Sequence, residues 1–197
     1  MSDWSRVPVL EGRHVRLEPL QPSHVQGLQT AVSDGELWTC WYTKVPRPEA
    51  MAAYVESALG MQARGEALPF VVRDAGGAVV GSTRLYALDP RTPRLTIGYT
   101  WYAQRVQRTG LNTEAKLLLL GHAFEALGCI AVAFETSWFN HASRAAIERL
   151  GAKQDGVLRS HQRHDDGSVR DTVVFSILAA EWPAVRSHLR AKLAAHA

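Results

Sequence analysis

The sequence predicts an α+β (α/β) fold, with one twisted, mostly antiparallel sheet of about seven strands flanked by helices. Three observations predict it. Segments of strand and helix period follow in the order β, α, α, β, β, β, α, β, α, β, β, α. Three successive strand signals, at 68–74, 78–88 and 94–102, are joined by the tight turns "AGG" and "DPRTP", which makes an antiparallel meander. No repeat, low-complexity tract or linker interrupts the 197 residues, a length that suits one domain over 1–197.

Each element has a local cause. "RHVRLEPLQ" at 13–21 alternates Val15, Leu17 and Leu20 with polar residues, so it reads as a strand stopped by Pro22. A helix follows over about 23–33, with Val25, Leu28 and Val32 on one face. "ELWTCWYTKVPRP" at 36–48 is aromatic and broken by proline, and it has no clear period. Pro48 suits the first turn of a helix running to about Arg64, with Met51, Tyr54, Val55 and Leu59 inward. After the meander, "EAKLLLLGHAFEALG" is an apolar helix ended by Gly128. "CIAVAFETSW" at 129–138 is apolar enough for a central strand. "NHASRAAIERLG" is a compact helix, with Asn140 as N-cap and Gly151 past its end. "KQDGVLRSHQ" and "VRDTVVFSIL" flank the turn "HDDG" as a last hairpin. A C-terminal amphipathic helix carries Trp182, Val185, Leu189 and Leu193 on one side.

Composition narrows the function classes. The formal charge is +3, and only four of the 22 basic residues are lysine. The arginine excess fits either codon bias or a surface for an anionic ligand. No run of five like charges occurs, so no nucleic-acid partner is expected. No stretch approaches the ~18 apolar residues that span a bilayer, and the N-terminus lacks the apolar core of a secretory signal, so neither membrane nor secretion is expected. Cys40 and Cys129 read as buried free thiols in a cytoplasmic protein.

The segment "QRVQRTGLNTEAK" at 104–116 points to chemistry. A strand runs into a Gln-x-x-Gly turn, 107–110, which opens a helix near Asn112. A helix N-terminus offers unpaired N–H groups and partial positive charge, so it can hold a pyrophosphate without a lysine. Glycine allows backbone to approach the phosphate. Alone, the turn also reads as a helix-capping loop. Neither the Gly-x-x-x-x-Gly-Lys-Ser/Thr loop nor the Gly-x-Gly-x-x-Gly fingerprint is present, so P-loop and Rossmann sites are disfavoured.

"QRTGLN" is similar to the Q/R-x-x-G-x-G/A signature of the GCN5-related N-acetyltransferases (GNAT). "FETSWFNHASRAAIERLGAKQDGVLR" and "DGSVRDTVVFSILAAEWPAV" resemble the RimJ/RimL-type branch of that family. The likeness spans roughly residues 8–186. It implies a GNAT fold with a mixed sheet, two parallel strands splayed at an acetyl-CoA site, and a bacterial-type acyltransferase with no metal. Asn112 departs from the usual Gly or Ala but tolerates unusual backbone angles and can cap a helix.

By that resemblance, CoA is held by Tyr99, Thr100 and Trp101 at the strand end, by Gln107, Arg108, Thr109, Gly110, Leu111 and Asn112 at the turn, and by Asn140 and Ser143 on the next helix. Arg105 and Arg108 are supporting charges. A bulge near residues 98–100 would present N–H groups to the thioester. Ser143 matches the serine placed near the sulfur, where it could protonate a thiolate of pKa about 8.5. The plainer reading of Ser143 is a local hydrogen bond in a helix's first turn, and that of Asn140 is a cap alone. The base is open. The branch's glutamate position holds Gln162, and the candidates are Glu135 and His161. His161 and His164 also read as solvated hairpin residues, and with no Cys or third ligand they make no metal site. Trp38, Trp41 and Tyr42 line an acceptor pocket or join the core.

The function implied is transfer of an acetyl group from acetyl-CoA to a primary amine, by direct attack in a ternary complex. The amine would belong to a protein N-terminus or a small molecule. The alternatives are an acyl-CoA sensor with little turnover and a transferase of another acyl group such as succinyl. A homodimer would suit the last hairpin or helix.

Overall fold

The computed structural model describes residues 3–164 and 166–195. One sheet of eight strands runs through them in the spatial order β1-β2-β3-β4-β5-β6-β8-β7. The strands are β1 (Leu10–Glu11), β2 (Val15–Pro19), β3 (Ala67–Asp74), β4 (Val79–Asp89), β5 (Arg94–Tyr102), β6 (Ala131–Ser137), β7 (Lys153–Arg163) and β8 (Val169–Leu178). The helices are α1 (Val25–Ser33), α2 (Met51–Ala63), α3 (Gly110–Gly121), α4 (His141–Glu148) and α5 (Trp182–Ala194).

The expected α+β class, meander and last hairpin are all present. The count of about seven strands becomes eight because Leu10 and Glu11 pair with Leu17 and Arg16. Two residues are too few to show alternation, so this edge strand leaves no periodic trace. The "HDDG" turn includes Asp165, which lies outside the described residues. Residues 36–48, without a clear period in sequence, form a loop with a 3₁₀ turn at Leu37–Thr39, and Pro48 opens another at Pro48–Ala50 that leads into α2.

Helices cover both faces of the sheet. Tyr54 of α2 donates to Ser82 of β4 at 3.4 Å. Lys116 of α3 donates to Thr100 of β5 at 2.8 Å, and that hydroxyl shares a 2.8 Å bond with Thr83. Ser82 and Thr83 are successive strand residues and point to opposite faces, so α2 and α3 sandwich the sheet. Phe124, in the wide turn ending α3, stacks on Trp182 at 5.4 Å and brings α5 to the α3 face. The core between these layers contains Leu17, Phe70, Leu85, Leu95, Leu119, Phe134, Phe175 and Leu189, all 2% exposed or less.

Glu114 locks α3 to the first hairpin. Its carboxylate, 9% exposed, accepts from the N–H groups of Arg13, His14 and Val15 at 2.9, 2.5 and 3.1 Å. Gly12 allows this, because a Cβ there would lie 2.3 Å from the Glu114 carboxyl carbon. The N-terminal end of α3 is thereby held over the sheet where the site forms.

Candidate active site

Among the described residues β5 and β6 are the only parallel pair of strands, and they separate early. Arg94, Leu95 and Thr96 pair with Ala131, Val132 and Ala133. Beyond Thr96, β5 continues to Tyr102 and β6 to Ser137 with no further pairing between them. A V-shaped opening results, and both strands then lead into helices. The N-termini of α3 and α4 thus lie at the same end of the sheet, each with its orphan N–H groups and partial positive charge.

The edge of the opening is bulged. Ser82 faces Trp101 and Arg84 faces Gly98, so Tyr99 and Thr100 have no partner on β4. Tyr99 has φ +52°, a left-handed conformation rare for a bulky residue. Gly98 lacks a side chain for cause, since a Cβ would lie 2.7 Å from the Tyr86 ring. Glycine in a strand core here makes room for an aromatic group.

The 104–116 segment differs in detail from its sequence reading. The helix begins at Gly110 and is capped by Thr109, whose hydroxyl accepts from Leu111 N–H at 3.3 Å. Asn112 is therefore in the first turn and is not the cap. The left-handed residue is Arg108, at φ +61°, and not the glycine. Gly110 is buried as the first helical residue. Gln107 reaches back to the Tyr102 carbonyl at 2.9 Å and fixes the loop. Arg105 pairs with Asp74 at 2.9 Å and Asp34 at 3.8 Å. Arg108 is exposed and faces a cleft of about 530 Å³ with Thr109, Asn112 and Thr113 of α3. Arg149, which follows α4 as its C-cap, and Lys192 of α5 line its other wall. These two cations were not anticipated, because they come from elements 37 and 80 residues beyond Asn112 in sequence.

Asn140 caps α4 and accepts from Ser143 N–H at 3.0 Å. The Ser143 hydroxyl has no hydrogen bond among the described residues and is half-buried. Trp101 is 6% exposed, with its indole N–H directed to Tyr54 at 3.4 Å, so its backbone, not its side chain, is at the opening. Leu111 is core. Thr100's hydroxyl is taken up by Lys116 and Thr83. Burial lowers Lys116 to about 7.

On the α2 face, Glu135 lies beside Tyr86 and Arg170, and burial, with Glu135's charge, pushes the Tyr86 phenol upward. His161 is exposed and its Nδ1 lies 3.1 Å from Thr172 Oγ1. His164 is not a solvated hairpin residue: it is 8% exposed and packs edge-on against Trp41 at 5.4 Å. Trp41, Trp38, Lys44, Arg47 and His164 line a second cleft of about 460 Å³. Trp38 also packs on the core, while Trp41 is 54% exposed and 5.3 Å from Phe139. Cys40 is partly exposed and Cys129 buried, both free, so only Cys129 fits the expectation of a buried thiol.

A splayed parallel pair, a bulge at the split and a capped helix N-terminus beside it are the frame of an acyltransferase fold. The chain belongs to the acetyltransferase (GNAT) family, whose domain model matches residues 14–153. Among curated proteins it is similar to the "Putative ribosomal N-acetyltransferase YdaF" of Bacillus subtilis (strain 168), with 34% identity over 106 residues. That match covers 54% of this chain and 57% of the relative, so the chain aligns with little more than half the relative's length. A GCN5-related N-acetyltransferase from Brucella melitensis is 32% identical, with TM-score 0.86 over 94% of this chain and 85% of its own. Mycobacterium smegmatis RimJ, solved with CoA-disulfide, shares the fold at 19% identity, with TM-score 0.81 over 95% and 96% of the two chains. Among the described residues no helix is long and apolar enough to cross a membrane.

Proposed function

We propose that the protein is a single-domain, acetyl-CoA-dependent N-acetyltransferase acting on a primary amine in a bacterial cytoplasm. The observation that carries the reading is the coincidence of the β5–β6 split, the unpaired residues Tyr99 and Thr100, and the two helix N-termini. A pyrophosphate would sit on the N–H groups of Gly110 and Asn112, with Arg108, Arg149 and Lys192 supplying charge from the cleft wall. The CoA-disulfide bound by RimJ and the ribosomal activity in the YdaF name support the ligand and reaction class.

The amine attacks the thioester carbonyl, and the negative charge that builds on oxygen meets N–H groups left unpaired by the bulge. Collapse of the tetrahedral adduct breaks the C–S bond. The thiolate takes a proton from the Ser143 hydroxyl, which has no competing partner among the described residues, and water returns a proton to the serine oxygen. The amine's proton goes to Glu135 through water, to His161, or to bulk water. A protein N-terminus or a small amine can enter from the α2 face, past the cleft lined by Trp41 and Trp38.

A thiol-release assay over a panel of amines and peptides tests this. Turnover with acetyl-CoA that collapses in Ser143→Ala is the expected result. CoA binding without turnover on any acceptor would favour the sensor reading, which Gln162 in place of a carboxylate keeps alive. Faster turnover with succinyl-CoA would move the protein to a different acyl class.

A further inference from the structure

Arg84 is the largest of the fully buried side chains, yet it carries a charge. Its guanidinium carbon lies between two rings, 4.5 Å from Tyr54 and 4.3 Å from Tyr99. No carboxylate among the described residues is within ion-pair distance. Its one hydrogen-bond acceptor is the Met61 sulfur at 3.4 Å, and its Nε is buried without a partner.

A second arginine repeats the pattern nearby. Arg170 is half-buried, its Nε is also buried and unpartnered, and Nη1 donates to the neutral Gln162 amide at 3.2 Å. Aromatic contact links the two. Tyr99 covers Arg84 and meets Tyr86 edge-on at 5.1 Å, and Tyr86 lies in the field of both Glu135 and Arg170. Two guanidiniums against one carboxylate leave a positive charge uncompensated. Burying a cation without a partner is costly, and aromatic stacking offsets only part of that cost. The CoA phosphates do not supply the missing charge, because their cleft is on α3 and α4 while Arg84 faces α2.

We infer that Arg84 and Arg170 form an anion subsite beside the thioester, and that the acceptor is an amine bearing a carboxylate a few bonds from its nitrogen. The inference rests on the acetyltransfer reading above. The carboxylate can belong to a free amino acid or to an acidic residue at a peptide N-terminus. Tyr99, 45% exposed at the bulge, is the group that has to turn for the acceptor to reach Arg84.

The test uses matched acceptors: glycine against glycinamide, and Asp-Ala-amide against Asn-Ala-amide. The wild type is expected to prefer the carboxylate in one pair by about tenfold or more in kcat/KM, as for hydrogen bonds to a charged group. The pair that shows the preference identifies the source. Arg170→Gln should bring the ratio toward one, and Arg84→Met likewise if it folds; Arg170 is half-buried, so its variant keeps the test open otherwise. Equal use of acid and amide, or a preference that survives Arg170→Gln, overturns the subsite.

If turnover is too slow to rank acceptors, calorimetry of CoA-saturated protein with the N-acetylated forms of the same four compounds gives the same comparison. Tighter binding of an acid, lost in Arg170→Gln, supports the subsite, and indifference removes it. Absence of CoA binding would instead remove the acetyltransferase reading.

Discussion

The two sides of the β5–β6 opening are built from different materials. On the α3 side, side chains are occupied with holding backbone. Gln107 ties the loop to Tyr102, Thr109 caps the helix, Asn140 caps the next, and Glu114 anchors α3 to the first hairpin. What is left for a ligand there is N–H groups, the Ser143 hydroxyl and a few peripheral cations. On the α2 side the reverse holds: Arg84 and Arg170 have unpartnered nitrogens, and Tyr99, Trp41 and Phe139 are exposed. A backbone-built site suits a cosubstrate common to a whole family, because N–H geometry survives sequence change. A side-chain-built site suits an acceptor that differs from one member to the next.

The largest expected effect breaks the backbone side at its anchor. Glu114→Ala leaves three N–H groups without their acceptor, and stability should fall by roughly 3 kcal/mol. Thermal unfolding with and without CoA measures it. A drop under about 1 kcal/mol would mean that α3 is held by packing alone.

Next is Ser143→Ala, which removes the thiolate's proton donor. We expect kcat to fall roughly 100-fold with KM for acetyl-CoA little changed. An equal rise in KM would make Ser143 a binding residue.

Lys116 bears on the bulge between the two sides. Burial lowers it to about 7, below the usual value near 10.4 of an unfolded lysine. Between those values the unfolded chain binds more protons, so this group makes stability rise with pH. Its penalty is fully present below pH 7 and fades toward pH 10.4. Lys116→Met should therefore gain most over wild type near pH 6, with the difference shrinking by roughly 2–4 kcal/mol as pH rises to 10. Urea titrations across that range check it, and a constant difference would contradict it.

The smallest effect separates two neighbouring arginines. Arg108→Ala should weaken CoA by about five- to tenfold, more at low salt. Arg105→Ala should leave CoA affinity unchanged and cost under about 1 kcal/mol of stability, since its partners are Asp34 and Asp74 at the surface. Equal effects on CoA would return Arg105 to the phosphate.

Arg105 also shows why part of the site was hidden in the sequence. The basic cluster at 104–108 is legible, but Arg105's acceptors lie 71 and 31 residues away, and only folding sorts it from Arg108. The elements themselves were legible because alternation, helical period and glycine punctuation are local. So was the turn that opens α3, although the positive φ fell on Arg108 where the eye goes to Gly110. Arg84 gave no signal at all, because one arginine in "VVGSTRLYAL" looks like an outward-facing strand residue. Its burial depends on Tyr54 from a helix 30 residues earlier. Local patterns thus carry the turn and its helix, and long-range contacts carry the burial of Arg84 and the pairing of Arg105.

If the helix N-termini beside the split hold CoA by its pyrophosphate, the phosphates supply much of the affinity. Calorimetric titration with acetyl-CoA and, separately, with S-acetylpantetheine tests it most directly. Micromolar binding of acetyl-CoA is expected, with a loss of at least about 100-fold when the nucleotide and its phosphates are removed. No heat with acetyl-CoA at millimolar concentration, or equal affinity for the two compounds, would contradict it.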